Sequence, residues 1–68
     1  MKSISAKLGQ NLKKIRTQKK MSQGDIARVL SLDRGYISNV ENGKKNPTLA
    51  TIEKLAKALG ISADELLK

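Results

Sequence analysis

Apolar residues recur at Ile4, Leu8, Leu12 and Ile15, at steps of four, four and three, which sets them on one stripe of a helix expected over about residues 5–20. Met21-Ser22-Gln23-Gly24-Asp25 interrupts that pattern. Ser22 is a good N-cap there, and Asp25 three residues on lies near the positive end of a second helix. Its inward residues are Ile26, Ala27 and Leu30, and Ser31-Leu32-Asp33 keeps it short by supplying a turn and then a new N-cap in Asp33. A third helix follows over residues 34–42. Gly43 suits the left-handed position that closes a helix, and the basic loop Lys44-Lys45-Asn46-Pro47 cannot continue it. Thr48 caps a fourth helix with the stripe Leu49, Ile52, Leu55, Ala56 and Leu59, ended by Gly60. Ser62-Ala63-Asp64-Glu65 matches a capping box and opens a short fifth helix carrying Leu66 and Leu67.

The expected architecture is therefore all-α: a compact five-helix domain occupying residues 1–68, with a helix-turn-helix at 22–43. A chain of 68 residues forms one domain, because at this length only about 60% of the unfolded surface is buried. Tyr36 is the sole aromatic residue, so the core must come from Leu, Ile, Val and Ala. There is no histidine or cysteine, and the six carboxylates are scattered along the chain. Neither a nucleophile–base pair nor a metal cluster can be composed from this set, so no enzymatic activity, cofactor or metal is expected. No run approaches the roughly 20 apolar residues of a membrane span, and residues 1–10 lack the apolar centre of a signal peptide. With cysteine absent as well, a cytoplasmic protein is expected. Fourteen Lys and Arg against six Asp and Glu give a net charge of +8, which favours an anionic partner, nucleic acid first. A solubilising surface explains the charge equally well, so the decision falls to the third helix.

At about 100° per residue, Ile37, Val40 and Glu41 share one side of that helix. Ser38, Asn42, Gly35 and Asn39 share the other, with Arg34 on the first turn. An ordinary solvated face would carry Lys and Glu, whereas Ser, Asn and Gly weaken a helix and need another justification. Close approach to a partner supplies one. An α-helix fits the DNA major groove, where Arg pairs with guanine O6 and N7 and Asn with adenine N6 and N7. Arg34, Ser38 and Asn39 are thus candidate base contacts, set against the plain alternative of solvated polar residues. Gly35 either lets the helix start lie deeper in the groove, at about 1 kcal/mol in propensity, or is a capping glycine. Tyr36 sits on a shoulder, with its ring available to the core edge and its hydroxyl to a phosphate. Gln23 opens the second helix, where its amide and the free backbone N–H groups can meet a phosphate.

Glu41 is the odd member of the inward set, since a carboxylate beside Ile37 needs a partner to offset its desolvation. Arg16 occupies the corresponding shoulder of the first helix. An Arg16–Glu41 ion pair locking the first and third helices together is expected.

These residues resemble the phage repressor and Cro-like family of helix-turn-helix regulators, often called the Xre family, over nearly the whole chain. Ser22-Gln23, Ile26-Ala27, Tyr36-Ile37-Ser38 and Val40-Glu41-Asn42-Gly43 carry the likeness in the motif. Asn46-Pro47-Thr48-Leu49, Leu55-Ala56-Lys57-Ala58-Leu59-Gly60-Ile61-Ser62 and Leu66-Leu67 extend it. The resemblance implies a transcriptional regulator, repressor or controller protein, that binds double-stranded DNA as a symmetric dimer. Position by position it implies base reading by Arg34, Gly35, Ser38 and Asn39, and backbone contact by Gln23, Asn42 and Lys44. It also places Arg16 and Glu41 on the family's buried ion pair. Two positions depart from the family: Ser31, where glycine is usual in the turn, and Gly35, where a longer polar side chain is usual.

Two protomers would set their third helices in successive major grooves of a near-palindromic target, with Lys44 and Lys45 attracting phosphates. Ile61, Leu66 and Leu67 form the expected dimer contact, unless they pack within the monomer. A second class of function stays open at this point: a protein-interaction module, such as the antitoxin of a toxin–antitoxin pair. A co-purifying partner would mark it, and a longer reading frame would mark the chain as the DNA-binding portion of a larger repressor.

Overall fold

The structure, a computed structural model, describes residues 3–68. Among them the chain forms α1 (Ile4–Gln18), α2 (Gln23–Leu30), α3 (Arg34–Glu41), α4 (Leu49–Leu59) and α5 (Ala63–Leu67), with no strand. The core is Leu8 and Leu12 from α1, Ile26 and Ala27 from α2, Ile37 and Val40 from α3, Ile52, Leu55, Ala56 and Leu59 from α4, and Leu66 from α5. Each helix contributes its inward stripe, so α1 meets α3 and α5, α2 meets α3 and α4, and α4 meets α5. The apolar periodicity therefore translates directly into the layering of the helices.

The outer members of three stripes lie outside that core. Ile4 is 76% exposed and Leu49 73%, because each stands on the first turn of its helix, beyond the reach of a facing element. Leu67 is also exposed, at the far end of α5. Helix α1 starts one residue earlier than expected, capped by the Ser3 hydroxyl, which accepts from the Ala6 N–H. It ends before Lys19, because the backbone turns left-handed at Lys20 (φ 57°).

Helices α1 to α4 finish in one way. After each, a residue at positive φ lets two N–H groups return to the last carbonyls: Lys20 after α1, Ser31 after α2, Gly43 after α3 and Gly60 after α4. Behind Gly43, for example, the Lys44 N–H reaches the Asn39 carbonyl at 2.8 Å and the Gly43 N–H reaches that of Val40 at 3.1 Å. Asn42 is thereby the C-cap of α3 and not its last helical residue.

Helix starts follow expectation less closely. The Ser22 hydroxyl accepts from the Asp25 N–H at 3.0 Å and the Asp25 carboxylate accepts from the Ser22 N–H at 2.8 Å, a complete capping box. These Ser22 bonds hold the Asp25 carboxyl below the usual carboxylate range. Ser62 and Glu65 do not form the corresponding box. Glu65 turns instead to Lys68 at 3.1 Å, and the Ser62 side chain caps nothing. Asp33 stands at the N-cap of α3 with extended backbone but also without a side-chain cap bond, which leaves the first turn of α3 uncapped.

Candidate nucleic-acid interface

Helix α3 is only eight residues long and has weak formers on its outer side, so its position depends on what grips its inner side. Ile37 and Val40 are fully buried in the core. Glu41 is the one buried charged residue among those described. Its carboxylate takes a two-pronged pair from Arg16, Nε to Oε2 at 2.6 Å and Nη2 to Oε1 at 3.1 Å. The Gln23 amide donates to Oε1 at 3.0 Å, and Arg16 Nη1 donates to the Met21 carbonyl at 2.8 Å. The expected Arg16–Glu41 pair is thus present and extends into a network joining α1, the turn before α2, the first residue of α2 and the end of α3. Hydrogen bonding to Glu41 outweighs desolvation and raises the Arg16 pKa further.

Gln23 is the position where this network alters the sequence-based picture. Its amide is engaged by Glu41 inside the protein and is not held out toward a phosphate. It lines, with Arg16, Ser22, Gly24 and Arg34, an open polar depression of about 470 Å³ between the starts of α2 and α3. In the sequence Ser22 reads as an N-cap and Gly24 only as part of the stretch that interrupts the apolar pattern. Their place beside Arg34 comes from the α2–α3 packing.

On the outer side of α3, Arg34 and Gly35 are exposed and Ser38 and Asn39 half-buried, with Asn42 exposed just beyond. The side chains of Arg34, Ser38, Asn39 and Asn42 make no hydrogen bond to any described residue, so their donors and acceptors are directed to whatever meets this face. A Cβ at Gly35 would touch nothing within 4 Å, so no packing inside the protein requires glycine there. Tyr36 is half-buried with its ring against the core, the packing half of its two expected roles. Lys44 and Lys45 are exposed on the loop after α3.

Leu66 is fully buried and belongs to the monomer core, where its carbonyl also accepts from the Asn11 amide at 2.8 Å. That removes it from the expected dimer contact. Ile61 packs partly on the same core, and Leu67 is the one of the three that presents a large surface. No group of three or more His, Cys, Asp or Glu residues able to hold a metal occurs among the described residues, and no helix among them is long and apolar enough to cross a membrane.

A family model described as helix-turn-helix matches residues 12–66. The chain is similar to the control protein C.MunI of Mycoplasma sp, with 43% identity over 67 residues, covering 97% of this chain and 90% of that protein. Among solved structures it is similar to the restriction-modification controller protein C.AhdI from Aeromonas hydrophila, at 45% identity and a TM-score of 0.87, covering 91% of this chain and 94% of that one. It is also similar to the controller protein C.Esp1396I, seen as a tetramer in complex with its natural 35 base-pair operator, at 34% identity and a TM-score of 0.82 over 100% of both chains.

Proposed function

The chain belongs to the helix-turn-helix family, in its phage repressor and Cro-like (Xre) branch, and from that membership and the geometry of α3 we propose a transcriptional regulator that reads double-stranded DNA sequence-specifically. The observation that carries the proposal is the outer face of α3. It is narrow, polar, without internal partners, and fixed from behind by Ile37, Val40 and the Arg16–Glu41–Gln23 network. A helix so presented suits insertion into the major groove. Arg34, Gly35, Ser38 and Asn39 meet base edges, while Asn42, Lys44, Lys45 and the Tyr36 hydroxyl meet the backbone. Gln23 contributes through the N–H groups at the start of α2, because its amide supports Glu41.

The protein acts on this reading as a homodimer on DNA, placing two α3 helices about one helical turn apart, with Leu67 and Ile61 offering apolar surface for the contact between protomers. The assembly of C.Esp1396I on its operator supports binding by more than one copy. The role is regulatory and cytoplasmic, not catalytic.

Selection from random duplexes at a stated salt concentration tests the proposal. It should return one half-site repeated in opposite orientation. Arg34→Ala should lose about 1–3 kcal/mol and relax one base position, whereas Lys44→Ala should weaken all sequences alike and reduce the salt slope by roughly one. A selection with no enriched motif, or an Arg34→Ala variant that weakens every duplex equally, would overturn it.

A further inference from the structure

Between α2 and α4 lies an open groove of about 350 Å³ lined by Val29, Leu30, Lys54, Lys57 and Ala58. None of these residues belongs to the outer face of α3 or to the basic loop behind it. Val29 is 62% exposed near the end of α2, where Lys, Arg or Glu would serve both helix propensity and solubility better. Leu30 and Ala58 rest partly on the core and leave the rest of their surface in the groove. The charges on its rim are of one sign. Lys54 and Lys57 make no hydrogen bond or ion pair with any described residue, whereas Arg28 pairs with Asp25 and Lys68 with Glu65.

We propose that this groove docks an acidic amphipathic helix of a partner protein. An apolar side chain of the incoming helix enters between Val29, Leu30 and Ala58, and carboxylates beside it pair with Lys54 and Lys57. The two lysines stand one turn apart on α4, the spacing at which carboxylates three or four positions apart on a facing helix can meet them both. Helix-in-groove recognition lays an apolar helix face on such a floor, and the lysine rim selects for acidic flanks. Nucleic acid fits poorly, since a phosphate pairing with Lys54 or Lys57 would leave the aliphatic floor of Val29, Leu30 and Ala58 without an apolar occupant. A second copy paired groove to groove would set Lys54 and Lys57 against their own counterparts, like charge on like. Because the groove and the α3 face share no residue, partner and DNA can be held together, and failure of either proposal leaves the other standing.

The test is a titration of the isotope-labelled protein, followed by amide NMR, with a synthetic helical peptide bearing Leu along one face and Glu on both flanks. A peptide of identical composition with its periodicity scrambled is the control. Saturable shifts at Val29, Leu30, Lys54, Lys57 and Ala58 are expected with the amphipathic peptide only. The variant Lys54→Glu/Lys57→Gln should weaken binding about tenfold while its melt and its DNA binding stay unchanged, since both side chains are exposed and unpaired. No saturable shift at millimolar peptide would overturn the proposal, and so would equal binding of the scrambled peptide or shifts centred on Arg34, Lys44 and Lys45. Groove shifts on diluting the protein alone would assign the surface to a second copy and overturn it as well.

Discussion

A methyl group added at position 9 would lie 2.3 Å from the Val40 carbonyl oxygen and 2.6 Å from that of Glu41. Both obstacles are backbone, so no rotamer relieves them and α1 must part from α3. Gly9→Ala gains about 1 kcal/mol of helix propensity, but overpacking of this kind costs about 3 kcal/mol. A melting temperature roughly 10 °C lower is expected by calorimetry, and a higher one would mean that the helices cross less closely. Glu41→Ala acts through charge: it leaves the half-buried Arg16 guanidinium and the Gln23 amide without their acceptor, which should lower stability by about 3 kcal/mol in a denaturant titration. An unchanged midpoint would remove the network from the account of stability. The two residues differ in how far the sequence reveals them. Glu41 stands out because a carboxylate between apolar neighbours poses a question that Arg16 answers. Gly9 poses none, because its constraint sits on another helix and a lone helical glycine looks merely weakening. Gln23 was half legible: its place at the start of α2 was evident, but its inward amide follows from where α3 brings Glu41.

At the scale of elements, the spacing of apolar residues delivered all five helices, and their ends proved harder to read. Glycine announces a left-handed residue at 43 and 60, and the departure at Ser31 from the family's glycine announces another, but nothing in Lys20 does so. Its conformation is imposed by the path of the chain between α1 and α2. Left-handed geometry disfavours a residue with a Cβ by about 1–2 kcal/mol, partly offset by the greater freedom that glycine gives the unfolded chain. Ser31→Gly should therefore raise stability by about 0.5–1 kcal/mol, seen as a melt a few degrees higher, roughly 3–6 °C, with DNA binding unaltered. A lower melt would show that the serine side chain contributes something the turn itself does not. Capping patterns mislead for a related reason. Asp25 closes its box with Ser22 through Oδ2 while its other oxygen pairs with Arg28, whereas Glu65 pairs with Lys68 and makes no bond to Ser62.

The whole molecule divides its tasks by surface: a polar α3 face and basic loop on one flank, and an apolar groove with two free lysines on another. The division was invisible in the total charge, which suits an anionic partner and a solubilising surface equally well. It became legible in α3, whose one-sided run of Ser, Asn and Gly has no local reason, and it stayed hidden for α2 and α4, whose outer residues come together only through packing. The network around Glu41 has a consequence for how the molecule moves. With Arg16 of α1 and Gln23 of α2 both gripping its last residue, the C-terminal half of α3 is tied to the core, while its first turn is uncapped at Asp33. Its amide protons at Ile37, Val40 and Glu41 should exchange with solvent only through global unfolding, at the same free energy as those of Leu12 and Leu55. Short α5, tied down by Leu66 and the Asn11 bond, should exchange earlier. Native-state exchange that found α3 less protected than α1 would contradict this. A helix held at this end arrives at its target already ordered there, and the backbone entropy of that half was surrendered when the protein folded, not when it binds.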